Sequence, residues 1–475
     1  MRHILARLAV GVVAAAAPLA AQYPTQPPTL GPLRALTLPP TVVRTLPNGL
    51  TLWVVEQHEL PLVDVRLVVR AGPEVDPQAK LGLATLTANL LDEGTTTRSA
   101  LELADATQLL GASLFTTSSF ESSTVGLHVP AARLDSALAL MADVLLRPAF
   151  SDTELERQRT NRLTELLQSK DRGPVIASRL VARMIFGPTH PYGRPVDGTE
   201  ATTKAITRAD VVAFHDTWYR PNNATMIIVG DITPDDAERR VAALFGTWQK
   251  KAVPTRRPPA APAAQPTTIT LVDKPGAPQA SFRIGGVGLA RRSADAFAVQ
   301  VMNTTLGGSF TSRLNDNLRE KKGYTYGAGS SFAQRRGAGP WLANAEIVSG
   351  KSDSALVEFL KELSAIRERL TDAELTKTKD YLQRQLAGDF ETTGDIAGQL
   401  VPLATYGLPL TYWNRYSANI GGVTAADVQR AARTYIDPTK LTIVIVGDRA
   451  TLEPMLAALK VGPIVVRDAD GNPVN

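Results

Sequence analysis

The histidines are the first candidates for metal chemistry, because imidazole nitrogens and carboxylate oxygens bind zinc in proteins that lack thiolates. The chain has no cysteine and five histidines, which are His3, His58, His128, His190 and His215. A zinc-binding helix places two histidines four residues apart on one face, beside a glutamate that activates water. No segment has the pattern H-x-x-E-H or H-E-x-x-H. A metal site built from the scattered histidines would depend on tertiary contacts alone.

Strand and helix patterns near the start of the chain show what could position functional side chains. Two stretches rich in β-branched residues, 50–55 and 62–70, predict a strand pair, and the Asn-Gly dipeptide at 48–49 predicts a turn before it. Leucines spaced over 83–90 then predict a helix, which Gly94 is placed to end.

An internal repeat organises the rest of the chain. Residues 206–231 align without gaps on residues 423–448, and each copy predicts a helix, a proline turn and a buried strand that ends in Gly-Asp. We therefore expect an α+β fold of two homologous halves, 41–249 and 267–475, each with helices packed on a mixed or antiparallel sheet. The proline- and alanine-rich segment 250–266 predicts an exposed, semi-rigid linker between them.

The N-terminus has the pattern of a secretory signal peptide over residues 1–21, and the proline-rich residues 22–40 predict an extended leader. The apolar run of the signal is too short to span a bilayer, and no later stretch is long enough. We expect export to the periplasm or the extracellular space without a stable membrane span; a retained N-terminal anchor is the alternative. Removing the signal lowers the formal charge from +5 to about +3, which gives no reason to expect nucleic acid as a partner.

Four sequence features resemble the pitrilysin/insulinase family of inverted zincin peptidases across nearly all of the mature chain. They are the Asn48-Gly49-Leu50 opening, the segment from Gly82 to Thr95, the run His190-Pro191-Tyr192-Gly193, and Leu306-Gly307-Gly308-Ser309-Phe310 leading into Leu318-Arg319-Glu320. The resemblance implies a clamshell of two related halves, as in pitrilysin-like metallopeptidases.

The resemblance also locates the zinc site and shows that it is degenerate. The H-x-x-E-H positions of the family correspond to Thr85, Ala88 and Asn89, none of which can bind zinc strongly or accept a proton from water. The third zinc ligand corresponds to Glu165, on a long helix that a capping-box pattern at Ser151 predicts. Glu165 alone cannot hold a metal, and it is equally typical of the solvated face of a helix. We expect no metal in this chain.

The second half keeps the residues that hold substrate in the family. Arg319 and Tyr326 match an arginine and a tyrosine that approach the scissile carbonyl, where both can donate to the developing oxyanion. Alternatively, Arg319 belongs to a solvated helix end and Tyr326 is an ordinary aromatic residue of a strand. Gly307 and Gly308 are consistent with a flexible substrate loop or with the end of a helix.

An edge strand that binds substrate is the last feature that the resemblance implies. Residues 114–118 correspond to the family's edge strand, with Leu114 and Thr116 as candidate peptide contacts, although the usual Asn-Ala of that strand is missing. An extended peptide would add to the sheet there.

These features favour a non-catalytic, substrate-binding subunit that forms a heterodimer with an H-x-x-E-H-bearing relative, which would carry the zinc. A structural or peptide-binding pseudo-peptidase without a catalytic partner is the alternative. A self-sufficient hydrolase with a relocated metal is disfavoured by the missing histidines.

Overall fold

The computed structural model describes residues 31–33, 37–257 and 260–474. The predicted signal peptide, 1–21, lies outside the described residues, as do 22–30 and 34–36 of the predicted leader. The described residues of both predicted halves and of the linker between them, 41–257 and 260–474, belong to one compact unit. Among the described residues, no helix is both long enough and apolar enough to cross a membrane.

The first half is built on a six-stranded mixed sheet with the order β1-β2-β6-β3-β5-β4. Its strands are β1 (Thr41–Thr45), β2 (Thr51–Glu56), β3 (Leu62–Val69), β4 (Ser113–Ser119), β5 (Ser122–Pro130) and β6 (Ala224–Gly230). The predicted pairing of β2 with β3 is wrong, because β6 lies between them, parallel to β2 and antiparallel to β3. The predicted Asn-Gly turn before β2 is confirmed, and it joins β1 to β2.

The helices of the first half have ends that local sequence sets in several cases. They are α1 (Leu83–Leu91), α2 (Ala100–Leu109), α3 (Leu134–Leu146), α4 (Asp152–Ser169), α5 (Gly173–Phe186), α6 (Glu200–Ala205), α7 (Arg208–Trp218) and α8 (Pro234–Phe245). Ser151 caps α4 by accepting a hydrogen bond from the Glu154 amide. Only half of the predicted capping box forms, because the Glu154 carboxylate binds Arg157 instead.

The second half repeats this arrangement in a sheet of order β12-β7-β11-β8-β10-β9. Its strands are β7 (Thr268–Asp273), β8 (Gln279–Val287), β9 (Thr325–Phe332), β10 (Pro340–Val348), β11 (Thr442–Gly447) and β12 (Ile464–Arg467). Its helices are α9 (Ala296–Leu306), α10 (Arg313–Asn315), α11 (Ser352–Glu368), α12 (Asp372–Gly388), α13 (Thr393–Tyr406), α14 (Tyr412–Gly422), α15 (Ala425–Tyr435) and α16 (Arg449–Ala458).

Both copies of the sequence repeat fold as predicted, into α7 with β6 and α15 with β11. Thr207 and Thr424 each form a capping box, with Asp210 and Asp427 respectively. The strands that follow are buried and occupy equivalent inner positions in the two sheets. The α+β class with two related halves is therefore confirmed.

Each half also donates one helix to the sheet of the other half. Helix α13 packs on β3 and β6, where Ile396 and Leu400 join an apolar cluster with Val68 and Ile227. Helix α5 packs in the same way on β8 and β11 of the second sheet. Because these clusters are buried, the exchanged helices hold the two halves together.

Candidate functional site

The zinc-motif positions lie on α1, whose first turn is fixed by a buried carboxylate. Asp76 accepts hydrogen bonds from the backbone N–H groups of Gly82 at 2.8 Å and Ala84 at 2.9 Å. These N–H groups have no partner within the helix, so the carboxylate acts as a cap. Gly82 itself has φ +90°, a left-handed conformation that favours glycine.

The three degenerate positions on α1 offer no zinc ligand set. The Thr85 hydroxyl donates to the backbone oxygen of Val196 at 3.1 Å, Ala88 is fully buried, and Asn89 is half-buried. A hydroxyl, a methyl group and a carboxamide do not replace two imidazoles and a general base. The residues present therefore do not fit the metal that this motif binds in the family.

Glu165 does not complete a metal site either. Its side chain on α4 is 73% exposed, and the charged group recorded beside it is Arg162, at 4.0 Å. Within residues 31–33, 37–257 and 260–474, no group of three His, Cys, Asp or Glu side chains is placed to hold a metal ion.

Polar contacts join the end of α1 to α4. Gln158 on α4 donates to the carboxylate of Glu93, just after α1, at 2.5 Å, and Arg157 forms an ion pair with the same carboxylate. Sequence analysis missed this contact, since it joins residues 65 positions apart. The two helices are thus fixed relative to each other by side chains of this chain alone.

The predicted edge strand, β4, lies beside the degenerate helix. It forms one border of the first sheet, with β5 as its strand neighbour. The Thr116 hydroxyl donates to Asp92, at the end of α1, at 3.2 Å, and burial raises the pKa of Asp92. Leu114, two residues earlier, is also half-buried on this face. Leu114, Thr116 and α1 therefore form one continuous surface.

Arg319 and Tyr326 lie at the equivalent border of the second sheet. Arg319 belongs to a π-helical turn, Asp316–Lys321, and Tyr326 belongs to the edge strand β9. The Tyr326 side chain is 90% exposed. The Arg319 guanidinium lies 4.6 Å from the ring centroid of Phe310, which is itself 66% exposed. An exposed aromatic surface with a cation therefore adjoins an edge strand.

A β-bulge explains why Tyr326 points outward. The register between β9 and β10 shifts between Ala345 and Ile347, opposite this residue. The Thr325 hydroxyl accepts from the Gly327 amide at 3.1 Å and donates to the Gly327 carbonyl at 2.9 Å. Bulges of this kind redirect a side chain and interrupt strand pairing.

Gly307 and Gly308 lie at the C-terminal end of α9, against β9. Both amides donate to the Asn303 carbonyl at 2.8 Å, and the Gly307 carbonyl accepts from the Ser330 amide at 2.9 Å. A Cβ atom at 307 would lie 2.3 Å from the Ser330 nitrogen. Close approach to β9 therefore requires glycine at 307, and a role in substrate binding stays a prediction for both glycines.

The hairpin turns beyond β4 and β9 meet at the boundary between the halves. Glu121, in the turn after β4, accepts the Arg336 amide with both carboxylate oxygens at 3.0 Å. The hydroxyl of Tyr192 donates to Glu121 at 2.9 Å and accepts from the Gly337 amide at 2.8 Å. We call this contact between residues 120–121, 192 and 335–337 the seam. It sets the position of one edge strand relative to the other.

The predicted linker is anchored beside the seam through Arg256. Arg256 forms an ion pair with Glu74 and lies over the Trp218 ring, 5.2 Å from its centroid. Burial raises the pKa of Glu74 to about 7, against the opposing effect of Arg256. The proline-rich composition of the linker does not predict this contact, because the contact depends on one arginine side chain. The exact limits of the linker stay a prediction.

Comparisons with known proteins agree with this geometry. A family model for the insulinase family, peptidase family M16, matches residues 53–194, and a model for the peptidase M16 inactive domain matches residues 205–382.

Several known proteins are similar to this chain over most of its length. A Mycobacterium leprae protein named as an uncharacterized zinc protease is 29% identical over 71% of this chain and 76% of its own. An Arabidopsis thaliana protein named as a probable mitochondrial-processing peptidase subunit beta is 24% identical over 87% of this chain and 79% of its own. The crystal structure of a peptidase M16 inactive domain from Pseudomonas fluorescens is similar with a TM-score of 0.81 and 28% identity, covering 86% of this chain and 98% of that one.

Proposed function

Because the chain belongs to the pitrilysin/insulinase family, in the non-catalytic type of that family, we propose that it is the substrate-binding subunit of an exported zinc peptidase. The zinc of that complex belongs to a second chain with an intact H-x-x-E-H helix, and the two form a heterodimer. The predicted signal peptide supports export to the periplasm or the extracellular space.

The exposure of Tyr326, on an edge strand that contacts the π-helical turn of Arg319, carries this proposal. A tyrosine that is 90% exposed on an edge strand adds little to the packing of the part of the chain that the structure describes. A phenol and a guanidinium can both donate to the oxygen that becomes negative when a peptide carbonyl is attacked. They need a nucleophile to be useful, and α1 has no group that could activate water. A partner with the zinc helix supplies the missing part.

The substrate class follows from the two edge strands. Both β4 and β9 border their sheets, so an extended peptide can add to either one through main-chain hydrogen bonds. A peptide on β4 would contact Leu114 and Thr116, and its carbonyl groups would need donors such as Arg319 and Tyr326 from the facing wall. Unfolded or extended peptides are therefore the expected substrates.

The partner is expected to be another member of the same family. One relative, the Arabidopsis thaliana protein, is named as a subunit, which supports an assembly of related chains. The clearest evidence would be an H-x-x-E-H-bearing chain that co-purifies with this protein from its native host.

Reconstitution with that chain tests the proposal. Arg319→Ala or Tyr326→Phe should lower cleavage of an unstructured fluorogenic peptide about tenfold or more, without loss of folding or of complex formation. Arg239→Ala and Tyr381→Phe, at exposed positions on α8 and α12, serve as matched controls and should leave the rate unchanged. Full activity of the Arg319 and Tyr326 variants would contradict the proposal. Tight peptide binding without any cleaving partner would favour the pseudo-peptidase alternative.

A further inference from the structure

A large cavity lies against α4, beside the segment that precedes α1. It has a volume of about 940 Å³ and lies between α4, α5, α6 and the turn that precedes the C-terminus. This volume is typical of sites for small organic ligands. Its apolar lining includes Leu163 and Leu167 of α4 and Leu180 of α5.

The cavity is separate from the site described above, although both use α4. Leu163 and Leu167 are four residues apart and share one face of the helix. Glu165 is two residues from each of them, which places it about 200° around the helix axis. Leu167 is 69% exposed, which leaves an aliphatic side chain in the open mouth of the cavity.

Positive charge is concentrated at one end of the cavity. Three cations meet the single residue Asp470: Lys170 at 3.3 Å and Arg179 at 3.8 Å from its carboxylate, and Arg183, which donates to its backbone carbonyl at 2.6 Å. Among the described residues, the buried Nη2 atom of Arg179 makes no hydrogen bond. Asp470 and Glu200 are the carboxylates among the lining residues, against the cations Lys170, Arg179, Arg183 and Lys204. The lining therefore has an excess of positive charge, which favours a further anion.

We infer that the cavity binds a single-chain anionic amphiphile, such as a long-chain carboxylate. The aliphatic chain lies on the leucines, and the anionic head meets Lys170, Arg179 and Arg183, in competition with Asp470. An aliphatic chain fits better than a peptide. Helices form most of the walls, and because their backbone groups are already hydrogen-bonded within each helix, they cannot pair with a peptide backbone. No strand edge lines the described cavity to accept the hydrogen bonds of a peptide backbone.

Calorimetric titration of the purified full chain with octanoate, decanoate and dodecanoate, each below its micelle concentration, tests this inference. We expect binding at one equivalent that strengthens about fourfold for each added methylene group. Dodecanol should bind more weakly than dodecanoate, because it lacks the anionic head. Absence of saturable binding, or equal affinity for dodecanol, would overturn the inference.

Variants locate the site. Leu167→Glu should weaken dodecanoate binding about tenfold or more, because it places a charge in the aliphatic mouth. The same change at Leu109, which is 86% exposed on α2, is the matched control and should have no effect. Lys170→Gln should weaken binding and Asp470→Asn should strengthen it, since Asp470 competes for the cations. Equal effects at 167 and 109, or binding of an acetylated leucyl peptide in place of dodecanoate, would contradict the assignment.

Discussion

The hydroxyl of Tyr192 donates a 2.9 Å hydrogen bond to the carboxylate of Glu121, and both side chains also bind backbone amides of the other half. Glu121 is fully buried, so its carboxylate oxygens need these donors in place of water. The guanidinium of Arg335 adds a cation–π contact 3.6 Å from the centroid of Phe120. Through this seam, the turn next to one edge strand fixes the turn next to the other.

Tyr192→Phe should destabilise the protein by about 1 to 3 kcal/mol, because it removes two hydrogen bonds and leaves a buried carboxylate with fewer donors. The midpoint of urea unfolding measures this loss. Tyr381→Phe, at a half-exposed tyrosine of α12, is the control and should change the free energy of unfolding by less than about 0.5 kcal/mol. Equal midpoints for Tyr192→Phe and the unsubstituted chain would show that the seam adds nothing to stability.

Asp76→Ala should destabilise the chain by about 2 to 3 kcal/mol, since the buried amides of Gly82 and Ala84 both lose their acceptor. Asp76→Asn keeps one acceptor oxygen and should therefore lower the free energy of unfolding by less than Asp76→Ala does. Asp105→Ala, at an exposed position on α2, provides the comparison. An Asp76→Ala variant as stable as Asp105→Ala would mean that α1 does not need this cap.

His215 should make the protein less stable as the pH falls. Burial lowers its pKa from 6.5 to about 4, and its Nε2–H donates to the Leu145 carbonyl at 2.9 Å. Between pH 6.5 and about pH 4, His215 therefore binds a proton in the unfolded chain but not in the folded chain. The free energy of unfolding consequently falls as the pH drops through this range. The complete effect is about 3 kcal/mol.

Urea unfolding at about pH 7.5 and about pH 4.5 measures this dependence. His215→Gln should narrow the difference between the two conditions. His58→Gln is the control, because His58 is exposed and its hydrogen bonds to Asp231 and Glu56 raise its pKa. It should not narrow the difference. Identical pH dependence in His215→Gln and the unsubstituted chain would rule out His215 as the source.

Local patterns in the sequence predicted the helices better than the order of the strands. The pattern at Ser151 predicted the start of α4, because the atoms of a helix cap lie within one turn. The pairing of β2 with β3 was wrong, since the strand between them comes from the repeat more than 150 residues later. The repeat itself was found because it preserves both spacing and composition.

In the candidate site too, local sequence predicted the elements, but it did not predict the contacts between distant residues. Helical spacing placed Thr85, Ala88 and Asn89 on α1, and the resemblance placed residues 114–118 on a strand that does border its sheet. The contact of Glu121 with Arg336 joins residues 215 positions apart, and nothing in either local sequence indicates it. The binding roles of Arg319, Tyr326, Gly307 and Gly308 stay predictions that activity measurements must test.

The most direct test of the central claim is a peptidase assay of the isolated chain, purified without any partner and supplied with zinc. We expect no hydrolysis of an unstructured peptide above the buffer blank, no change when a chelator is added, and no zinc retained at one equivalent. Hydrolysis by the isolated chain that a chelator abolishes, with one zinc bound per chain, would contradict this claim.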